Sequence, residues 1–177
     1  MARTFTCSYE IGGWGTGEFW LAGGRLVWHE LPRPVGAPQP TTRCEHTEKT
    51  VTGGTRNRAD FETADRLERR IRRYFAGERV AFDDVPADLD WCTPFQAAVA
   101  AALRAVPYGE VVTYGELAAL AGHPSAQRAV GTFCARNRLP LVLPCHRVVA
   151  ADSLGSYGWL GPRYKRRLLA LEGVTLE

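Results

Sequence analysis

Residues 113–137 read TYGELAALAGHPSAQRAVGTFCARN, and this stretch predicts a helix-turn-helix. Thr113 and Glu116 have the spacing of a capping box, in which each side chain accepts a hydrogen bond from the other residue's backbone N–H. Gly122 is expected to end the first helix, and Ser125 is a favoured cap for the second. The same pattern fits an ordinary helical hairpin, so it does not by itself establish DNA binding.

The second predicted helix carries an unusual number of small residues, Ala126, Ala129 and Gly131, and one long basic side chain, Arg128. A helix that reads the major groove usually presents long polar side chains at such positions. A smooth helix with a single arginine is better suited to the minor groove, where close fit and one inserted side chain dominate. The composition therefore favours DNA binding through the minor groove.

Upstream, Thr93 and Pro94 are typical of a helix start, with threonine as the cap and proline in the first turn. An apolar stripe at helical spacing then follows, formed by Phe95, Val99, Leu103 and Val106. We place a domain boundary just before this helix. Residues 91–177 are therefore expected to form a mainly helical C-terminal domain that contains the helix-turn-helix.

The first ninety residues have a different pattern. Short aromatic-rich runs, FTCSYEI, EFWLA and RLVWHEL, predict strands, and Gly23-Gly24 predicts a hairpin turn between the last two. The region near 32–58 predicts a long loop, and a helix is expected from Phe61 to Phe75, with Gly77 as its stop. Residues 1–90 thus predict a small domain of sheet plus helix, and the whole chain an α+β fold.

Four arginines on that helix form a basic row that could contact DNA: Arg69, Arg70, Arg72 and Arg73. Charged rows on amphipathic helices are more often solvated faces, and we interpret this one so.

The composition narrows the class of protein. The chain has 177 residues, 45% hydrophobic and 23% charged, which is enough to bury a core. Its net charge is +3, made up of +4 from Pro94 onward and −1 before it, so the basic excess lies in the C-terminal half. No apolar run approaches the roughly 20 residues of a membrane span, and the N-terminus lacks a secretory pattern. We therefore expect a cytoplasmic protein with reduced thiols and no membrane partner.

The sequence LPCHRVV, residues 143–149, places Cys145 next to His146. A cysteine attacks as thiolate, and histidine is the side chain whose pKa best suits removal of the thiol proton. A small buried cysteine beside a surface histidine is the alternative interpretation of such a pair.

The pair does not stand alone. GEVVTYGELAALAG, RAVG, Asn137, PCHRVV and LLALEGV occur in order between about Thr93 and Gly173. Together they resemble the O6-alkylguanine-DNA alkyltransferases, also called methylated-DNA–protein-cysteine methyltransferases. The resemblance implies direct damage reversal: the alkyl group of O6-alkylguanine, or of O4-alkylthymine, moves irreversibly to the protein's own cysteine in a single turnover. It also implies a monomer that binds double-stranded DNA containing an alkylated guanine and needs no cofactor.

The resemblance assigns catalytic roles to five residues. Cys145 is the acceptor, His146 removes its proton through a water, and Glu172 orients that histidine. Tyr114 crowds the target phosphate and donates a proton to the departing guanine. Asn137 braces the turn before the cysteine.

It also assigns a DNA-binding set and a pocket. Arg128 is expected to fill the space left in the base stack by the extruded nucleotide. The remaining DNA-binding residues are Tyr114, Ser125, Ala126, Ala129, Gly131 and Arg147. The pocket residues are Pro140, Val148, Tyr157 and Gly158.

The chain departs from the family pattern at several positions. Gly158 takes the place of a usual serine, Trp159 adds bulk near the pocket, Phe133 replaces a small residue, and Arg138 replaces a proline. These changes leave open a damage sensor that resembles the alkyltransferase-like proteins, although those lack the cysteine that this chain has at position 145. A Cys-His hydrolase is a third hypothesis, but the sequence offers no convincing oxyanion hole.

The remaining cysteines and histidines are expected to have no catalytic role. Cys7, His29, Cys44 and His46 could surround a structural zinc, but their spacing is no recognised ligand pattern, so we expect no metal. Cys92 and Cys134 are interpreted as core residues, and His123 as a turn residue.

Overall fold

The computed structural model describes residues 4–34, 36 and 58–176. An antiparallel sheet of three strands in the order β1-β2-β3 comes first. The strands are β1 (Phe5–Ile11), β2 (Gly15–Ala22) and β3 (Arg25–Arg33). Gly23 and Gly24 have φ of 59° and 79°, values that favour glycine, and they form the predicted hairpin turn. Pro32 lies within β3, so the strand extends past the predicted start of the loop; residues 37–57 of that loop lie outside the described residues.

The first helix, α1 (Arg58–Phe75), packs on this sheet. Its start is fixed to the β2–β3 turn, because the Asp60 carboxylate accepts from the Gly24 N–H and the Thr63 hydroxyl donates to the Gly24 carbonyl. Gly77 follows with φ of 85° and ends the helix as predicted. The four arginines of α1 pair with nearby acids: Arg69 with Asp65, Arg70 with Asp84, Arg72 with Glu68 and Arg73 with Glu78. The row is therefore an ion-paired surface of the helix.

The second half of the chain is mainly helical, and the α+β class is confirmed. It contains α2 (Pro94–Arg104), α3 (Tyr114–Leu120), α4 (Gln127–Ala135) and α5 (Gly161–Leu171). The capping boxes at Thr93 and Thr113 both form, with Gln96 and Glu116 as the respective partners. Gly122, at φ of 78°, lies in the turn between α3 and α4, and His123 is also in that turn.

The predicted cap of α4 is wrong. Ser125 has φ of 72°, and α4 begins at Gln127 with Ala126 as its N-cap residue, without a side-chain hydrogen bond. The extra turn residue displaces the hydroxyl of Ser125 from the helix start. The helix-turn-helix itself is present: α3 and α4 pack against each other, with Val130 and Phe133 of α4 buried.

A short parallel pair of strands fixes the helix-turn-helix to the cysteine segment. In β4 (Val112–Thr113) and β5 (Val148–Val149), Val112 pairs with Val148 and Thr113 with Val149. The strand β4 leads directly into α3, and β5 follows a single 3₁₀ turn, Cys145–Arg147. The pairing therefore places the start of α3 beside the residues that carry the chemistry.

Contacts cross the predicted division at residue 90. The His29 N–H donates to the Arg138 carbonyl, and the Tyr164 hydroxyl donates to the Pro32 carbonyl, at 2.8 and 2.7 Å. The division into domains 1–90 and 91–177 stays a prediction. No helix among the described residues is long and apolar enough to cross a membrane.

Replacing Thr113 with alanine removes the hydroxyl that caps α3, and we expect the free energy of unfolding to fall by about 1 kcal/mol. Chemical denaturation measures the change. Thr175→Ala, at an exposed threonine outside the helices, is the control and should have no effect. Equal losses in the two variants would contradict the capping role.

Candidate active site and DNA-binding face

Cys145 begins the 3₁₀ turn, and its side chain is almost completely buried. The side-chain amide of Asn137 donates to Sγ of Cys145 at 3.0 Å and to the Leu143 carbonyl at 2.7 Å. Burial raises the pKa of the Cys145 thiol above its ordinary value, although the Asn137 hydrogen bond opposes the shift. The sulfur is therefore a protonated thiol at rest and needs a base to become a nucleophile.

His146 has the chemistry of that base. Its Nε2 lies 2.7 Å from Oε1 of Glu172, and both side chains are fully buried. A carboxylate can only accept, so Nε2 carries the hydrogen and Nδ1 has a free lone pair. Nδ1 is buried and has no hydrogen-bonding partner among the described residues. Burial lowers the pKa of His146, outweighing the attraction to Glu172, and keeps the imidazole neutral and able to take a proton.

The Glu172 carboxylate is the centre of the site. Oε1 accepts from His146, from the Tyr74 hydroxyl at 2.8 Å and from Arg147 at 3.0 Å. Oε2 accepts from Arg147 at 2.9 Å and from the Gly109 N–H at 3.0 Å. Burial alone would raise the pKa of Glu172, but the hydrogen bonds from His146 and Arg147, together with the Arg147 charge, lower it to about 2. Glu172 is therefore a stable buried anion.

The structure corrects the prediction for Arg147, which was expected to bind DNA. Only 7% of the residue is exposed, because its guanidinium forms a two-point ion pair with Glu172 and donates to the Val106 carbonyl. A buried carboxylate needs a buried cation, and the planar guanidinium matches its two oxygens. Arg147 belongs to the interior of the site.

Two residues of this interior were missed by sequence reasoning. Tyr74 comes from α1, far along the chain, and reaches both Glu172 and His146. Its position three residues after Ile71 puts its polar hydroxyl on the buried face of α1, and that was the available signal. Lys165 is fully buried, and its ammonium donates to carbonyls of residues 148, 154 and 156. It lies three residues before Leu168 on the apolar face of α5, where a lysine is unusual.

A small cavity beside the sulfur has about 200 Å³ of empty space, part of which is open to solvent. It is lined by Tyr114, Cys134, Ala135, Cys145, Ser156, Tyr157 and Gly158. Tyr157 and Gly158 are thus pocket residues, whereas Pro140 and Val148 are not among the lining. Val148 has no exposed surface because it lies in β5, and the Pro140 carbonyl instead accepts a hydrogen bond from His29. Cys134, interpreted as a core residue, faces the same cavity as the acceptor.

Tyr114 begins α3 and forms one wall of the cavity. Its ring lies between Gly131 of α4 and Gly155 of the loop before α5. Gly155 has φ of 72°, and a side chain there would meet the Tyr114 ring and hydroxyl at 3.4 Å. Burial raises the pKa of Tyr114, so its hydroxyl keeps the proton that a donor requires.

The outer face of α4 adjoins this cavity. Arg128 and Ala129 are exposed, Ala126 and Gly131 are half-buried, and Ser125 is exposed in the preceding turn. Ala135, at the end of the same helix, lines the cavity mouth. Arg128 is therefore exposed beside small side chains of α4, and the C-terminal end of this helix lines the same cavity as Cys145.

Three of the residues that differ from the family pattern pack against neighbouring aromatic or basic side chains. Phe133 is buried and stacks on Trp91 at 6.1 Å, and the Arg138 guanidinium lies 4.8 Å from the Trp91 ring centre. Trp159 is 46% exposed, with the Arg33 guanidinium 5.1 Å from its ring, so it lies outside the cavity lining.

Both ring nitrogens of His29 are occupied, by Tyr9 and by the Pro140 carbonyl. Cys7, like His29 one of the four candidate zinc ligands, also has another partner, because its thiol donates to the Glu68 carboxylate. Across residues 4–34, 36 and 58–176 no group of three histidine, cysteine or acidic side chains could hold a metal ion. Cys44 and His46 lie outside the described residues.

The fold and site together define a class: a helix-turn-helix protein with a buried thiol, imidazole and carboxylate beside a small cavity. Comparison with known protein families supports this class. Residues 94–174 match the family described as the DNA binding domain of 6-O-methylguanine DNA methyltransferase.

Relatives and solved structures extend the match. The methylated-DNA–protein-cysteine methyltransferase of Methanopyrus kandleri is 48% identical over 122 residues, which are 68% of this chain and 89% of that protein. The protein of the same name from Mycobacterium bovis is 47% identical over 103 residues, 58% of this chain and 61% of that protein. The Mycobacterium tuberculosis OGT solved in complex with DNA superposes with a TM-score of 0.71 at 31% identity, covering 95% of this chain and 92% of that one. The chain belongs to the methylated-DNA–protein-cysteine methyltransferase family, which confirms the resemblance.

The low pKa of Glu172 predicts acid sensitivity. In the unfolded chain this carboxyl titrates near 4.5, and in the folded protein near 2. The stabilisation is present above pH 4.5 and is lost as pH falls toward 2, by up to about 3 kcal/mol. Urea unfolding at several pH values measures the slope.

Glu172→Gln is the comparison variant. It should be less stable by about 3–5 kcal/mol at neutral pH, because it leaves the Arg147 charge unpaired. Its unfolding free energy should also fall less steeply with acid. The same slope in both proteins would contradict the assignment.

Proposed function

We propose that this protein reverses O6-alkylation of guanine in double-stranded DNA by moving the alkyl group onto Sγ of Cys145. One observation carries the proposal: a buried thiol, next in sequence to a neutral imidazole with a free Nδ1, lines a cavity at the end of α4, whose surface carries the small residues Ala129 and Gly131. Family membership supports the same activity.

The target base has to leave the duplex, because its O6 is engaged in base pairing inside the stack. Extrusion costs a few kcal/mol, and less where alkylation has weakened the pair. The small residues of α4 allow close approach to the minor groove, and Arg128 would occupy the space left in the stack. Tyr114, at the start of α3, would crowd the phosphate and keep the nucleotide turned toward the cavity.

The contacts of the resting site support the following steps for the proposed transfer. The Cys145 proton passes through a water to Nδ1 of His146, and Glu172 stabilises the imidazolium that forms. Sγ forms a bond to the alkyl carbon as the bond from that carbon to O6 breaks, and the electron pair stays on the guanine. Tyr114 gives a proton to the guanine, and the proton held by His146 restores Tyr114. The sum converts thiol and alkylguanine into thioether and guanine.

The product explains why each molecule acts once. A thioether sulfur is a poor leaving group, and no step in this scheme returns the alkyl group to water. The balanced reaction uses no metal or organic cofactor, since the alkylated base is its own donor. As part of the proposal, the protein acts as a monomer in the cytoplasm, on genomic DNA.

Incubation with duplex DNA that contains one O6-methylguanine tests the proposal. The intact protein should gain the mass of one methylene group, located on the Cys145 peptide, with a yield that saturates at one per molecule. Cys145→Ala should gain nothing, whereas Cys134→Ala, which removes the other thiol of the cavity, should still be methylated.

Other outcomes identify the competing functions. Tight binding of the methylated duplex with no adduct at any ratio would reject transfer and indicate a damage sensor. Repeated turnover of an activated ester would indicate a hydrolase.

A further inference from the structure

We propose that His29, in the N-terminal strand β3, is a positioning residue for alkyl transfer, because it sets the loop through which Asn137 reaches the sulfur of Cys145. The inference rests on the proposed function and assigns a task in the reaction to the N-terminal sheet.

His29 holds this loop at two points. Its backbone N–H donates to the Arg138 carbonyl at 2.8 Å, and Nδ1 lies 2.8 Å from the Pro140 carbonyl. Because that carbonyl only accepts, Nδ1 carries the hydrogen, and Nε2 accepts from the Tyr9 hydroxyl at 2.6 Å. Only 4% of His29 is exposed. The Pro140 carbonyl therefore fixes the tautomer of the buried ring, with its N–H directed toward the loop.

The held segment contains backbone strain. Leu141, directly after Pro140, has φ of 72°, a left-handed conformation that a leucine rarely adopts. Such a conformation persists only where the surrounding structure enforces it. The Pro140 carbonyl, just before Leu141, accepts a hydrogen bond from His29. A second hydrogen bond, from the Leu143 N–H to the Leu139 carbonyl at 2.8 Å, spans Leu141.

A short chain of hydrogen bonds connects this segment to the sulfur. The Leu139 N–H donates to Oδ1 of Asn137 at 2.9 Å, which orients the side-chain amide. The same amide then donates to the Leu143 carbonyl and to Sγ of Cys145, at 2.7 and 3.0 Å. If the loop relaxes, the Asn137 amide turns away from the sulfur.

Trp28, the residue before His29, also contacts this loop, through the side chain of Arg138. The Arg138 guanidinium lies 4.8 Å from the Trp91 ring centre and 5.9 Å from that of Trp28. Trp28 and His29 are adjacent in β3. Their side chains point to opposite faces of the strand, so β3 contacts the loop through both of them.

Two substitutions separate positioning from simple stability. In His29→Asn, the side-chain amide takes the place of Nδ1 and can still donate to the Pro140 carbonyl. In His29→Gln, the amide takes the place of Nε2 and faces Tyr9 instead. Both place a neutral amide in the same buried site. Tyr9→Phe is the matched control, since it removes the partner on the side of the ring away from the loop.

The first readout is single-turnover methyl transfer from duplex DNA containing O6-methylguanine. We expect His29→Gln to slow transfer about tenfold or more, while the dissociation constant for that DNA stays at the wild-type value. His29→Asn should recover most of the rate, and Tyr9→Phe should transfer at close to the wild-type rate.

The second readout does not use DNA. The reaction of iodoacetamide with Cys145, followed on its peptide, reports the pH at which the thiol ionises. The Asn137 hydrogen bond lowers the pKa of Cys145, so His29→Gln should shift this pH profile upward, and His29→Asn should not. This readout stands even if wild-type protein forms no adduct with methylated DNA, which would reject the proposed function instead.

The inference is overturned if His29→Gln keeps the wild-type rate and pH profile. It is also overturned if the Asn and Gln variants lose rate equally, or if Tyr9→Phe loses as much as His29→Gln. Each of these results would mean that His29 contributes only to stability.

Discussion

The buried carboxylate of Glu172 is the constraint on which the rest of the site depends. An isolated anion in the interior would cost several kcal/mol, and five hydrogen bonds with one paired guanidinium offset that cost here. The donors come from distant parts of the chain: Tyr74 from α1, Gly109 from the turn before β4, and His146 with Arg147 from the 3₁₀ turn. Solvation of one charge therefore joins the N-terminal helix, the approach to the helix-turn-helix and the cysteine segment.

That arrangement explains why the cysteine has low reactivity in the resting protein. Burial keeps Cys145 protonated and His146 neutral, so the resting sulfur is a weak nucleophile. In the proposed transfer, His146 takes a proton, and only then does the Glu172 anion gain its full interaction with the imidazole. The Lys165 ammonium donates to three backbone carbonyls and so fixes the loop beside the cavity. Burial lowers the pKa of Lys165 to about 8. Reactivity thus depends on substrate reaching a preformed site.

Local patterns predicted the parts of this fold that local physics determines. The hairpin turn at Gly23-Gly24 and the cap at Thr113 were read correctly because each depends on neighbouring residues. Ser125 was misread because a one-residue change in turn geometry moves a cap away from its helix. Arg147 was assigned to DNA because its charge suggested the surface, whereas its partner lies 25 residues further on. The role of Tyr74 depends on contacts 98 residues apart, and spacing in one helix contains no information on those.

The central claim is that Glu172 fixes the tautomer of His146, leaving Nδ1 as the base. Nitrogen-15 NMR of histidine-labelled protein measures this directly, because protonated and unprotonated ring nitrogens differ clearly in chemical shift. The account predicts that at neutral pH His146 is uncharged, with hydrogen on Nε2 and none on Nδ1. An imidazolium, or a neutral ring with its hydrogen on Nδ1, would contradict it.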